Sequence, residues 1–158
     1  IIDGYKKRFA GITTFLQECI EHAQRHGYVQ TMLGRRRAIP EIESTNPSKR
    51  ALAERTAINT VVQGSAADLI KLAMVDIHRE ILGRRASTKG TTLKMLLQIH
   101  DELVFECAAD EAEESKRVIV ERMENAAGTW RMPDGSALKL AVPIRVDASV
   151  ATNWFDGK

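Results

Sequence analysis

The sequence is poor in cysteine and has no long apolar run. Cys19 and Cys107 lie far apart and form no Cys-x-x-Cys pair, which excludes a disulfide-rich scaffold and favours reduced thiols in an intracellular setting. No segment has the ~20 apolar residues that span a bilayer, and none resembles a signal peptide. An initiator Met is also missing. Ile1 already stands within a helical pattern, so we expect a piece excised or processed from a longer chain.

The remaining composition is that of a globular domain with an uneven distribution of charge. The 158 residues are 44% hydrophobic and 28% charged, which suits one folded core. The net charge of +2 conceals 16 Lys and Arg against 9 Asp and Glu in residues 1–100, and 7 against 12 in residues 101–158. A basic half is typical of proteins that face a polyanion, although solvated helix faces can segregate in the same way.

The first half of the chain has helical periodicity broken by one basic hairpin. Apolar residues at three- and four-residue steps predict a helix from about Asp3 to His26, ended by Gly27. Residues 28–39 predict a hairpin around Gly34, with the basic turn Arg35 to Arg37. A second helix should begin at Asn46-Pro47, a capping residue followed by proline, and continue to about Val62.

A third helix is expected after an interruption at Gly64. Ser65 to Asp68 resembles a capping box, so the helix should restart there and end near Leu82-Gly83. Its buried positions are predicted to be Ala66, Leu69, Ile70, Ala73, Met74 and Ile77.

The periodicity changes in the second half, where two short apolar runs surround a polar turn. Residues 93–107 predict a β-hairpin with its turn at residues 100–102. Asp110 should cap a fourth helix with an acidic first turn. Its apolar positions are Val118, Ile119 and Met123, and Val142 to Val146 should form a last strand. This order of helices and hairpins predicts an α+β fold.

Two groups of polar residues suggest chemistry. Asp101 and Glu102 stand at the tip of the apolar hairpin, where a rigid support could hold a carboxylate against a divalent cation; a solvent-exposed acidic turn is the alternative. Arg55, Asn59 and Gln63 share one helix face, which suits contacts to base edges and phosphates but also suits a solvated face. The basic turn at Arg35 to Arg37 could neutralise phosphates, or could simply favour solubility.

Together these segments are similar to the bacterial DNA polymerase I family, family A of the DNA polymerases. The string from Gln98 to Glu106 resembles its palm motif C. Residues 54–68 resemble the helical segment that precedes the palm hairpin, and residues 27–37 with Pro40 resemble its basic turn. The three motifs occur in the family's order and cover nearly the whole chain.

The resemblance implies a role for each matching residue. Asp101 would be the catalytic aspartate that binds two Mg²⁺ ions, and Glu102 the catalytic acid beside it. DNA contacts would come from Arg55, Asn59, Gln63, Gln98, His100, Arg35 and Arg36. The fold would be the C-terminal portion of a right-hand polymerase palm, an antiparallel hairpin and strand with adjoining fingers and palm helices. Residues 1–158 would form a single partial domain, helical over 1–83 and palm over 92–158.

The resemblance also implies partners and a limit. The parent enzyme would be a DNA-directed DNA polymerase that binds primer–template DNA and dNTP, located in the cytoplasm at the bacterial nucleoid and not in a membrane. This chain would pack against the remainder of the polymerase chain. The palm motif with the other metal-binding aspartate and the nucleotide-binding fingers helix are missing, so we expect no activity from the chain alone. A non-catalytic nucleic-acid-binding module and a single-subunit RNA polymerase palm are the alternatives.

Overall fold

The computed structural model describes residues 8–88 and 90–157, and it confirms the α+β class. The chain divides into two compact units after Asp68; the assignment of a single partial domain stays a prediction. Within the described ranges, no helix is both long enough and apolar enough to cross a membrane. In chain order the elements are α1 (Ala10–His26), β1 (Tyr28–Gln30), β2 (Arg36–Ala38), α2 (Pro47–Ala86), β3 (Lys94–Ile99), β4 (Glu102–Glu106) and α3 (Ala112–Glu124).

In the first unit, α1 leads directly into the basic hairpin, residues 28–39. Gly27 has a φ of 72°, and its N–H donates to the Ala23 carbonyl at 2.7 Å, so it ends α1 as predicted. The predicted start at Asp3 lies outside the described residues. Strands β1 and β2 pair antiparallel, with Tyr28 opposite Ala38 and Gln30 opposite Arg36.

The core of the first unit joins α1, the basic hairpin and the start of α2. The hydrophobic core residues that α2 contributes are alanines one turn apart, and these small side chains leave room for the isoleucines at the end of the hairpin and just after it. The core consists of Ala23, Val29, Ile39, Ile42, Ala53 and Ala57.

Helix α2 is continuous, so the predicted break at Gly64 is wrong. It begins at Pro47, where the Asn46 side chain accepts hydrogen bonds from the amides of Ser48 and Lys49, as the capping prediction required. Gly64 stays helical and is needed for close approach, because a Cβ at this position would lie 2.8 Å from Thr31 Cγ2. The helix ends at Ala86 rather than near Leu82-Gly83.

The side chain of Ser65 also explains why no new helix starts there. Its hydroxyl donates to the Val61 carbonyl at 2.6 Å and accepts from the Met32 amide at 2.9 Å, so it joins the basic hairpin to α2 and caps nothing. Ala66 is exposed and not buried as predicted, whereas Ala73 and Ile77 are buried.

The second unit packs the β3–β4 hairpin against the C-terminal half of α2 and against α3. Its hydrophobic core cluster contains the buried residues Ile77, Ile81, Leu93 and Ile119, joined by the partly buried Met95, Leu103, Phe105, Cys107 and Met123. The two strands pair antiparallel, and the register shifts between Met95 and Leu97, which makes Leu96 a β-bulge. The predicted hairpin at residues 93–107 is confirmed.

Two predictions in the second unit are wrong. Asp110 does not cap the fourth helix: it lies in a 3₁₀ turn, Ala109–Glu111, and α3 begins at Ala112. The neighbouring Glu111 carboxylate instead accepts from the Thr91 hydroxyl at 2.6 Å and from the Thr92 amide at 3.1 Å, which ties this turn to the start of the hairpin.

The predicted strand at Val142 to Val146 is also absent from the described part of the chain. A strand requires a neighbouring strand to share its backbone hydrogen bonds. Here β3 and β4 pair only with each other, and the Val146 amide donates to the Glu124 side chain at 3.2 Å. Residues 142–146 therefore have no neighbouring strand with which to form backbone hydrogen bonds in the described part of the chain.

Candidate functional site

A basic groove lies between the basic hairpin and α2 in the first unit. Its volume is about 590 Å³. One wall carries three consecutive arginines and the other carries hydroxyl and amide side chains from successive turns of α2. The lining includes Arg35, Arg36, Arg37, Thr56, Asn59, Thr60 and Gln63. Every one of these side chains can donate a hydrogen bond, so the groove suits an anionic ligand with many acceptor oxygens.

The three arginines have different partners. Arg35 Nη2 lies 2.8 Å from Asp68 Oδ1 and donates to the Gly64 carbonyl at 3.1 Å. The Arg36 guanidinium stacks over the Tyr28 ring at 4.6 Å from its centroid. Arg37 donates to the Thr60 hydroxyl at 3.2 Å. Arg35 and Arg37 are thus fixed to α2, while Arg36 is supported from the hairpin itself.

The predicted helix face is only partly in the groove. Asn59 and Gln63 are exposed and line it, about 6 Å apart along α2. Arg55 is exposed one turn earlier on the same face and does not line the groove. The structure therefore groups Asn59 and Gln63 with Arg35 and Arg36.

The other predicted residues lie together at the tip of the β3–β4 hairpin, in the second unit. Ile99 pairs with Glu102, so the turn consists of His100 and Asp101 alone. His100 has a φ of 50°, a left-handed conformation that a two-residue turn demands. Gln98 Nε2 donates to the His100 carbonyl at 2.6 Å and braces the turn.

The carboxylates at this tip are available to a cation. Asp101 and Glu102 are exposed, and neither forms an ion pair with a residue in the described ranges. Carboxylate oxygens are suitable ligands for Mg²⁺, which commonly takes one or two carboxylates from a protein and the rest from water and phosphate. Within the same ranges no three His, Cys, Asp or Glu side chains are grouped to hold a metal ion. The tip fits Mg²⁺ as a partial ligand set.

Sequence reasoning missed Thr60 as a residue that lines the groove and Asp68 as the ion-pair partner of Arg35. Both lie on α2 with their side chains toward arginines of the basic hairpin. The available signal was Gly64, since a glycine inside a helical pattern can mark close approach of another segment rather than a break.

Known proteins resemble this chain over most of its length. The family model described as DNA polymerase family A matches residues 1–156. DNA polymerase I of Rhizobium leguminosarum is 46% identical over 153 residues, which cover 97% of this chain and 14% of that protein. DNA polymerase I of Bacillus subtilis is 40% identical over 157 residues, 99% of this chain and 16% of that protein.

A solved structure is similar as well. It is the POL domain of Pol1 from M. smegmatis in complex with DNA primer-template and dNTP. The TM-score is 0.73 and the sequence identity 38%, over 87% of this chain and 23% of that one. The chain spans about a seventh of the length of the two DNA polymerase I relatives named above. With a family match over nearly all of its residues, the chain belongs to DNA polymerase family A.

Proposed function

We propose that this chain carries part of the active site for template-directed nucleotidyl transfer to a primer 3′-OH. The observation that supports this most directly is the hairpin tip, where a two-residue turn braced by Gln98 presents the carboxylates of Asp101 and Glu102, which have no ion-pair partner among the residues that the structure describes. Asp101 would hold Mg²⁺, with Glu102 beside it. Bound Mg²⁺ supplies charge stabilisation at the attacking and leaving oxygens of an in-line displacement.

The groove in the first unit is proposed to bind primer–template DNA. Its donors suit phosphate oxygens and the acceptors of the minor groove, which are nearly the same for all four base pairs. Asn59 and Gln63 would therefore test the geometry of a pair without reading its sequence. Arg55 would extend this contact one turn along α2, and His100 would lie near the primer terminus. A bacterial enzyme with this substrate would act in the cytoplasm, at the nucleoid.

The 158-residue chain by itself is proposed to bind DNA without extending a primer. A partial ligand set is insufficient for two-metal catalysis, and the chain covers about a seventh of its curated relatives. A non-catalytic nucleic-acid-binding module would behave in the same way, so activity has to be tested in a complete polymerase. Relatives that are DNA polymerases favour the DNA enzyme over an RNA polymerase palm.

The test is a chimaera in which this chain replaces the matching 153 residues of the Rhizobium leguminosarum enzyme. We expect the chimaera to extend a primer and Asp101→Ala to lower kcat by about 10³-fold, since loss of a metal ligand removes several kcal/mol of transition-state stabilisation. Primer–template affinity, measured by fluorescence anisotropy, should change little. The matched control is Asp110→Ala, which removes another exposed aspartate of the same unit.

Three outcomes contradict the proposal. If Asp101→Ala retains turnover within about tenfold of the chimaera, Asp101 is not a catalytic ligand. If Asp110→Ala loses as much activity as Asp101→Ala, the loss reflects general carboxylate removal or misfolding. Robust extension by the 158-residue chain alone would contradict the claim that its ligand set is incomplete.

A further inference from the structure

We propose that Asp68 is a positioning residue that fixes the basic hairpin against α2 and so sets the width of the DNA groove. This inference rests on the proposed DNA contact of the groove. The contacts between one turn of α2 and one turn of the hairpin, next to Asp68, are here called the hairpin anchor. They involve Thr31, Met32 and Arg35 on the hairpin, and Gly64, Ser65 and Asp68 on α2.

Asp68 is the buried half of this anchor. Its side chain is 9% exposed, whereas that of Arg35 is 49% exposed. Oδ1 lies 2.8 Å from Arg35 Nη2, and the buried Oδ2 has no hydrogen-bond partner among the described residues. A buried carboxylate is costly unless a counter-charge compensates it. Arg35 is the only such counter-charge within 4 Å in the part of the chain that the structure describes.

This arrangement restricts what Arg35 can do. If its guanidinium turned toward a DNA phosphate, Asp68 would be left buried and unpaired. The same nitrogen that meets Asp68 also donates to the Gly64 carbonyl, which fixes the side chain at two points. We therefore assign the phosphate contact of the basic turn mainly to Arg36 and Arg37, and assign Arg35 to holding the hairpin in place.

The anchor lies beside the residues that it would position. Gly64 and Ser65 follow Gln63 directly along α2, and the Ser65 hydroxyl holds the Met32 amide at 2.9 Å. Arg35 is followed by Arg36 on the opposite wall of the groove. A hairpin released from Asp68 would separate Arg36 from Asn59 and Gln63, and the walls could no longer contact one DNA ligand together.

Removal of the Asp68 charge distinguishes positioning from simple electrostatics. Asp68→Asn makes the chain more positive beside a polyanion, so charge alone predicts tighter DNA binding. A positioning role for Asp68 predicts weaker DNA binding by the same variant. For the 158-residue chain and a fluorescent primer–template duplex at fixed salt, we expect Asp68→Asn to raise Kd about fivefold, a change of the size that one lost buried contact produces. Arg35→Ala should raise it similarly, and the double variant no further.

The matched control is Glu41→Gln, which removes an acid of the same unit whose partner, Lys49, lies 3.5 Å away at the surface. Its DNA binding should be unchanged or slightly tighter. Arg35→Lys keeps the charge but loses the two-point contact, so its Kd should fall between those of the wild type and Arg35→Ala. This milder variant keeps the question answerable if Asp68→Asn fails to fold.

A second measurement does not depend on DNA. The Met32 amide is held by Ser65 and the Arg35 amide by the Thr31 hydroxyl at 3.2 Å. In Asp68→Asn both should exchange with solvent at least about fivefold faster, while protection around Ile119 in the second unit stays unchanged. Absence of wild-type DNA binding would refute the groove's proposed function but leave this test valid. Tighter DNA binding by Asp68→Asn, or unchanged exchange at Met32, would overturn the positioning role.

Discussion

Gly64→Ala tests whether close approach, rather than helix interruption, explains the glycine in α2. In an open helix interior, alanine is more stable than glycine by about 0.5–1 kcal/mol. Here the new Cβ would lie 2.8 Å from Thr31 Cγ2, a contact that real structures do not show. Thr31 is 4% exposed, and its hydroxyl accepts from the Arg35 amide, so its methyl group cannot move away freely.

The expected magnitude follows from these two opposing effects. Overpacking a filled site costs about 1–3 kcal/mol. After the gain in helix propensity, we expect Gly64→Ala to lower the free energy of unfolding by up to about 2 kcal/mol. Thr31→Ser removes the opposing methyl group. In the double variant the alanine should therefore become neutral or stabilising, with a coupling of about 1–2 kcal/mol.

Urea denaturation followed by circular dichroism measures these differences. The control is Gly83→Ala on the same helix. An added Cβ at this position meets nothing within 4 Å, so the substitution should raise the free energy of unfolding through helix propensity alone. If Gly64→Ala stabilises the chain as much as Gly83→Ala does, the close contact between Thr31 and Gly64 is refuted. An additive double variant would likewise show that the two residues do not touch.

Three further outcomes are expected. Asn46→Ala removes the acceptor for the Ser48 and Lys49 amides and should cost about 1 kcal/mol in urea denaturation, with no loss if the cap is unimportant. Gln63→Ala in the chimaera should weaken primer–template binding and mismatch discrimination; unchanged fidelity and affinity would contradict its minor-groove role. Burial, followed by the charges of neighbouring cations, lowers the pKa of His22 from 6.5. The unfolded state then binds more protons below pH 6.5, so thermal stability should fall as the pH drops through this value, and His22→Phe should flatten the dependence.

The segments with strong local signals were predicted well. Gly27 ends α1, Asn46 and Pro47 begin α2, and the hairpin at residues 93–107 has its turn at His100 and Asp101. Each of these features depends on interactions between residues that are close in sequence. Periodicity and capping chemistry are therefore sufficient to predict them. The strand at Val142 to Val146 failed because strand formation depends on a partner elsewhere in the chain, which local pattern does not reveal.

The candidate site also has features that the sequence predicted and features that only the tertiary structure decided. The sequence alone named the candidate residues, because the segment around Asp101 and Glu102 and the polar face of α2 resemble motifs of the family; their roles stay predictions. Tertiary structure decided what each arginine of the basic turn contacts. Arg35 forms an ion pair with Asp68, 33 positions away in the sequence. Gly64 does not break the helix; its lack of a side chain allows Thr31 to pack closely against α2. Such pairings depend on how two distant segments pack, and no local propensity encodes the distance between them.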